Sequence, residues 1–358
     1  MIPAPGLPGS ERGLPALPHS LPLLMKQNGY ATALIGKWHL GYEPRFSPRA
    51  HGFDVFFGYK SAAIDYYTHV TTRPGEGAQF GDAQPDLWDG DSLVEQDGYM
   101  TDLIARRSVE FINQHAARPF FIDIAFNAPH SPFQPPGGPP RTPAHTGATR
   151  ADYTAVMERV DHGVGEILQT LRLRGLERNT IVIFTNDNGG VWLSHNAPLF
   201  HRKFSAWEGG IRVPALLRWP GRIPAGTVSA QVGITMDLTA TILAATATPV
   251  PSDARPEGIN VLPILQGKAP QAERTLFWRT AGPSPVNMNQ KAIRSGDWKL
   301  IIDGAATRVF LFNVKADPGE RQDWFARRPD IAGRLQQLLT EWERDVDNEA
   351  KAFAAPLQ

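Results

Sequence analysis

Ile181-Val182-Ile183-Phe184 running into Thr185-Asn186-Asp187-Asn188-Gly189-Gly190 is the stretch of sequence on which the fold turns. Its apolar, largely β-branched start reads as a short buried strand. The polar and glycine residues that follow read as a loop at the strand's carboxyl end. Upstream, Val156, Val160, Val164, Ile167, Leu168 and Leu171 recur at helical spacing until Gly175 stops the run. Before that, residues 120–126 form another apolar strand, residues 103–112 a helix, and residues 31–35 a buried strand that runs into Gly36. Residues 21–29 read as a short helix ended by Gly29. Strands alternating with helices predict a layered α/β domain. Loops at the carboxyl ends of such strands are where this architecture places ligands.

Beyond about Gly267 the pattern changes. Short strands over residues 275–279, 291–294, 298–302 and 309–313 are separated by turns such as Asp317-Pro318-Gly319. A helix then carries Ile331, Leu335, Leu338, Leu339 and Trp342 on one face. This predicts a smaller C-terminal antiparallel α+β domain. The chain of 358 residues is long enough for two domains. Its 36 basic and 36 acidic residues balance, which argues against a polybasic nucleic-acid surface. A 42% apolar content with 18 Phe and 9 Trp excludes a disordered chain. No stretch reaches the ~18 uncharged apolar residues of a membrane span. The most apolar window, residues 234–250, carries Asp237 and fits a buried helix. Zero cysteines exclude disulfides, thiolate zinc sites and a cysteine nucleophile.

Four polar loops carry candidate chemistry. Gly36-Lys37-Trp38-His39-Leu40-Gly41 places an ammonium and an imidazole two residues apart at a strand end, a pair able to hold an anion and move a proton. Asn127-Ala128-Pro129-His130-Ser131-Pro132 flanks His130 with prolines that restrict its backbone. Asp187-Asn188 offers two oxygen donors suited to a hard divalent cation, although a calcium shell of 6–8 needs others. Lys203 precedes Glu208-Gly209-Gly210-Ile211-Arg212-Val213-Pro214, where a lysine can reach into a pocket that backbone approaches closely. Each loop also has an ordinary structural reading: a surface lysine, a packed histidine, an Asx turn, a glycine turn.

Together and in this order, the four motifs resemble those of the type I sulfatases, within the alkaline-phosphatase-like superfamily. The resemblance extends to His51-Gly52-Phe53-Asp54 with Phe56-Phe57-Gly58, to Ser295-Gly296-Asp297-Trp298-Lys299-Leu300 and to Ala316-Asp317-Pro318-Gly319-Glu320, and covers residues 21–342. It implies an alkaline-phosphatase-like sandwich in which helices flank a large central mixed sheet, beside the small C-terminal domain. It further implies a sulfuric ester hydrolase acting on aryl or carbohydrate sulfates, with Ca²⁺ (or Mg²⁺) as metal. By motif position, Asp187 and Asn188 would ligate the metal, and Lys37 and Lys203 would bind sulfate oxygens. His39 would contact the nucleophile's hydroxyls, and His130 would assist the leaving group. Asp65, Tyr66, Tyr67 and His69 either line the substrate pocket by their order in the family or simply pack. Family members are commonly exported to periplasm, extracellular space or lysosome, so a periplasmic or secreted location is expected of a full-length form that carries a signal peptide, while this chain alone leaves the location unknown.

The family nucleophile is a formylglycine made from a Cys/Ser-x-Pro-x-Arg motif, and no such motif occurs here. Ser20-Leu21-Pro22 lacks the arginine, and Ser10-Glu11-Arg12 lacks the proline. The paired aspartates that end the family's first strand are also missing. The expected organisation is an irregular arm over residues 1–22, a catalytic domain over 23–267 lacking its first strand and nucleophile turn, and the α+β domain over 268–358. As this N-terminally truncated polypeptide the protein is expected to be inactive or nearly so. Two other readings stay open: a metal-dependent phosphatase or phosphodiesterase of the same superfamily, and a noncatalytic sulfated-glycan binding protein.

Overall fold

The computed structural model describes residues 13–72, 83–138, 147–254, 256–280, 289–304 and 308–354. Ser10-Glu11-Arg12 and part of the proline-rich loop after His130 lie outside them. The first element is helix α1 (Leu21–Gln27), with Pro22 in its first turn, where a missing N–H costs nothing. It therefore starts inside the expected arm, whose residue Leu14 is already tied to the Leu40 carbonyl (2.7 Å).

Strand β1 (Ala31–Lys37) pairs in parallel with β2 (Val55–Tyr59). The two-residue strands β3 (Trp88–Asp89) and β4 (Ser92–Leu93) continue the sheet antiparallel on the far side of β2. Helix α2 (Met100–Gln114) leads to β5 (Phe120–Ala125), which pairs in parallel with the other edge of β1. The result is a five-stranded mixed sheet in the order β4-β3-β2-β1-β5. Strand β1 is buried on both faces, as a parallel strand between helical layers must be. Ala33, Ile35, Phe57 and Tyr59 pack against Met100, Leu103 and Ile104 of α2. On the opposite face Leu34 and Phe56 pack with Phe53.

Where the three parallel strands approach their carboxyl ends, Gly36 sits opposite Gly58 on one side and Ala125 on the other. Gly36 has φ +121°, and a Cβ there would lie 1.9 Å from the Ala125 carbonyl oxygen. Only glycine satisfies both demands. The sheet is thus pinched immediately before Lys37.

Helix α3 (Arg150–Leu173) opens with a capping box between Thr149 and Asp152 and lies on α2. Its Ile167 and Leu171 share a cluster with Ile112 and with Val182 of the next strand, β6 (Val182–Thr185). The one-turn helix α4 (Glu208–Ile211) follows, and then β7 (Ala215–Arg218), which pairs antiparallel with β6. Among the described residues this two-stranded ribbon is not hydrogen-bonded to the five-stranded sheet, so the expected mixed sheet is present as two pieces. Helix α5 (Thr235–Ala245) buries Asp237 against Arg274 in a two-oxygen pair at 2.8 and 2.9 Å. It also places Leu243 against Leu24 and Met25 of α1.

After the short helix α6 (Leu262–Leu265), strands β8 (Thr275–Arg279), β9 (Lys291–Ser295), β10 (Trp298–Asp303) and β11 (Arg308–Asn313) form an antiparallel sheet. Alternation along the strands divides its faces. Ile293, Leu300 and Leu311 meet Ile331, Leu335 and Leu339 of helix α7 (Pro329–Ala354). Ala292, Ile301 and Phe312 meet Ala206 and Trp207, which just precede α4. The small sheet therefore rests directly on one of the polar loops.

Candidate active site

Lys37 is the last residue of β1 and lies in register with Tyr59 of β2. The next residue is an anchor: the Trp38 N–H donates to the Tyr59 carbonyl (2.9 Å), and its indole Nε1 donates to the Phe46 carbonyl (2.8 Å). The Trp38 ring also packs edge-on against His51, 5.0 Å between centroids. With Trp38 fixed, Lys37 and His39 lie on either side of it. His39 has φ +56°, a left-handed conformation that non-glycine residues adopt sparingly and that clusters at functional sites.

His130 follows β5. Its N–H donates to the Asn127 carbonyl (2.9 Å), and its Nδ1 lies 2.9 Å from the Ser131 carbonyl, which selects the Nδ1–H form of the ring. Three tyrosines hold this loop. Tyr66 Oη donates to the His130 carbonyl (2.7 Å), Tyr99 Oη to that of Gln134 (2.7 Å), and Tyr67 Oη to that of Pro135 (2.7 Å). Gln134 in turn accepts from the Tyr66 N–H (2.8 Å) and donates to Asp65 (2.6 Å). Asp65 and Tyr66 are fully buried and His69 nearly so. Of the two readings of residues 65–69, the structure therefore supports packing: Asp65 and Tyr66 brace the His130 loop from behind. Gln134 was not singled out from the sequence, because nothing local marks a buried glutamine that crosslinks two distant loops.

The Asp187-Asn188 loop leaves β6 and is laced to the Lys203 loop by backbone. The Gly189 N–H donates to the Gly210 carbonyl (2.9 Å), and the Lys203 N–H donates to the Gly190 carbonyl (3.1 Å). A Cβ on Gly189 would lie 1.9 Å from the Gly209 carbonyl oxygen, so this contact requires glycine. Glu208, which opens α4, is buried with Lys299 and Glu320. Lys299 Nζ lies 2.9 Å from a carboxylate oxygen of each glutamate, and Glu320 also accepts from the Glu208 N–H (2.7 Å). The sequence displayed all three residues in its motifs, but their partnership across the chain has no local signature.

The four loops form one electrostatic unit. Burial, the like charge of Lys203 and, in the opposite sense, Asp187 set the Lys37 ammonium, pulled down to about 8. Burial first, then Lys37, His130 and Lys203, pull His39 down to about 4. Burial also lowers Lys203, with Asp187 opposing. Tyr59, buried with its hydroxyl unpartnered among the described residues, is raised by burial and by Asp86 and Asp187. Two ammonium groups and two imidazoles partly withdrawn from water, with Asp187 as the anion that offsets them, are costly to hold together. Such a cluster is complementary to a bound oxyanion.

A hard cation would find Asp187 and Asn188 here, neither of which makes a side-chain hydrogen bond with another described residue. Two oxygen donors fall short of a calcium shell. Among the described residues no group of three or more His, Cys, Asp or Glu side chains completes one. The formylglycine precursor does not fit either. The chain has no cysteine, and Ser20, N-cap residue of α1, donates to the His51 carbonyl (2.6 Å).

A layered α/β fold with lysines, histidines and a carboxylate–amide pair converging at its strand ends has the layout of the alkaline-phosphatase-like superfamily. The sulfatase family model matches residues 4–248, and the model of the N-sulphoglucosamine sulphohydrolase C-terminal region matches 197–345. The chain belongs to the sulfatase family. It is 34% identical to the N-acetylgalactosamine-6-sulfatase of Canis lupus familiaris, over 86% of this chain and 65% of that one. It is 35% identical to the Sus scrofa enzyme of the same name, over 74% of this chain and 52% of that one. The chain thus spans between half and two thirds of the length of these two relatives. Among solved structures it resembles Ps i-CgsB in complex with k-i-k-neocarrahexaose, with TM-score 0.82, 27% identity, and coverage of 95% of this chain and 78% of that one.

Proposed function

We propose that the four loops form the sulfate pocket of a sulfuric ester hydrolase acting on sulfated carbohydrates. The observation that carries this reading is the mutual electrostatic influence of Lys37, His39, His130, Lys203 and Asp187 at the strand ends of one domain. Lys37 and Lys203 hold sulfate oxygens as compact point charges. His39, neutral above about pH 4, accepts or donates a hydrogen bond without adding charge to the pocket. His130, held by its own loop and by Tyr66, would pass a proton from Nε2 to the departing ester oxygen when its ring is doubly protonated, Nδ1–H staying on the Ser131 carbonyl. The relatives named above support a carbohydrate substrate: two are N-acetylgalactosamine-6-sulfatases, and the solved neighbour was captured with k-i-k-neocarrahexaose.

Turnover also needs a nucleophile, and the Cys/Ser-x-Pro-x-Arg motif from which the family makes it does not occur in this sequence. This polypeptide therefore binds sulfate esters and does not cleave them at the rate of a form that carries Cys/Ser-x-Pro-x-Arg ahead of α1. The discriminating experiment assays p-nitrophenyl sulfate and p-nitrophenyl phosphate with both forms. Sulfate hydrolysis by the motif-bearing form alone, lost on Lys203→Ala, is the expected result. Silence in both forms would favour a glycan-binding protein, and preference for phosphate would favour the phosphatase reading. Export to the periplasm or outside the cell goes with the same family reading. No helix among the described residues is long and apolar enough to cross a membrane.

Asp187 and Asn188 are proposed as donors to Ca²⁺ or Mg²⁺. With only two side-chain oxygens, the expected Ca²⁺ affinity is in the millimolar range, about 10⁻³ M. Isothermal titration checks this, and a micromolar Kd abolished by Asp187→Ala would show that other donors complete the shell.

A further inference from the structure

Between the metal-donor loop and Lys203, the chain presents an aromatic surface to solvent. Trp192 is 52% exposed and Phe204 42% exposed. Exposing a large indole forgoes burial energy, and such surfaces often mark binding sites. The position of Trp192 is set rigidly. It sits in a tight turn closed by the Ser194 N–H and hydroxyl, both donating to the Val191 carbonyl (2.9 and 2.6 Å). Asn196 Nδ2 ties the same turn to the Gly190 carbonyl (3.0 Å), the atom that also accepts from the Lys203 N–H (3.1 Å). From the other side, the Trp192 ring meets Phe133 at 88° with centroids 5.9 Å apart. Phe133 is buried and belongs to the loop that carries His130. Arg150, at the start of α3, donates to the Leu193 carbonyl and lies over the Tyr153 ring, which packs on Phe133.

Trp192 is thus tied to two of the loops that build the anion pocket: its turn is anchored on the Gly190 carbonyl through Asn196, and its ring meets Phe133. The contact with Phe133 leaves half of its surface open. We propose that Trp192 is a sugar-stacking residue that receives the pyranose ring of a substrate whose sulfate lies between Lys37 and Lys203. This deepens, and rests on, the sulfate-pocket reading above. A pyranose has an apolar face of C–H groups and a rim of hydroxyls. An indole offers the complementary flat apolar surface at little entropic cost. The surroundings suit the hydroxyl rim: Arg150 and His195 are exposed beside the turn, and Ser194 and Asn196 are part of it. Phe204, 5.3 Å from the Lys203 ammonium, supplies a second apolar wall next to the charge that would hold the sulfate.

The test is a calorimetric titration of the full chain with N-acetylgalactosamine 6-sulfate, p-nitrophenyl sulfate, inorganic sulfate and unsulfated N-acetylgalactosamine. The sulfated sugar should bind about tenfold more tightly than inorganic sulfate, and Trp192→Ala should remove that advantage, about 1.4 kcal/mol, while leaving inorganic sulfate within twofold. Trp192→Phe should restore most of the advantage. Lys203→Ala should weaken both sulfated ligands and inorganic sulfate. An equal loss for sugar sulfate and inorganic sulfate in Trp192→Ala, or no loss for either, would overturn the proposal and leave the sulfate pocket standing. A larger effect on p-nitrophenyl sulfate than on the sugar would overturn it in favour of aryl stacking. Failure of the wild type to bind inorganic sulfate would remove the pocket and this proposal together.

Discussion

His39 shows most directly what the site does to a single side chain. In the folded protein its imidazole takes a proton only near pH 4, held down by burial and then by Lys37, His130 and Lys203. Unfolded, it does so near its ordinary 6.5. Between those values the unfolded chain binds more protons than the folded one, so stability falls as pH drops from 6.5 towards 4. His39→Gln should flatten that part of the melting-temperature profile. Lys37 gives the opposite limit for binding: its charge is lost as pH rises through about 8, and affinity for inorganic sulfate should fall over the same range. An affinity that stays level from pH 7 to 9.5 would count against Lys37 as a sulfate ligand. Lys37, His39, His130, Asp187, Asn188 and Lys203 were singled out in the sequence by the order of the four motifs, since each loop alone also has an ordinary structural reading. Gln134 and Tyr66 were not assigned their bracing role, since that role exists only once two distant loops are in contact.

At the scale of elements, hydrophobic patterning found most of the longer strands and helices with inexact ends, and it did not read β2 or β7. The strand read at residues 31–35 extends to Lys37, and the helix read at 103–112 starts at Met100 and ends at Gln114. Ends are set by capping and pairing, which apolar periodicity does not encode. Helix α3 shows this: its first hydrophobic marker is Val156, whereas the Thr149–Asp152 capping box begins it a turn and a half earlier. Pairing was harder to read. The runs over 120–126 and 181–184 look alike, yet the first joins β1 in a five-stranded sheet and the second, among the described residues, joins β7 alone in a ribbon. Along one edge of each, backbone groups lack a strand partner among the described residues, which is a known route to association between chains.

At the scale of the whole molecule, the small sheet meets α4 and the Lys203 loop through one buried charged cluster. Lys299 comes from the small sheet, Glu208 opens α4 beside the Lys203 loop, and Glu320 comes from the turn after β11. The change of pattern near Gly267 was visible in sequence, but not that Ala206 and Trp207 pack into the second sheet. Removing Lys299 would leave Glu320 without its cation and Glu208 with Arg212 alone, 3.5 Å away, and burial already raises Glu320 despite Lys299. Lys299→Met should therefore cost about 3–5 kcal/mol in urea unfolding, and adding Glu320→Gln should recover part of it. Equal stability of wild type and Lys299→Met would show that the cluster is not energetically coupled. The same three residues constrain any transplant of parts. An engineer who exchanged residues 268–358 for the corresponding segment of another protein would import a foreign partner for Glu208. The mismatch would surface first in the turn that positions Lys203. Compatibility of the two halves is therefore a question of a few named contacts, this cluster together with the Asp237–Arg274 pair and the seat of Trp207, and a chimaera that keeps them can vary the rest of the interface.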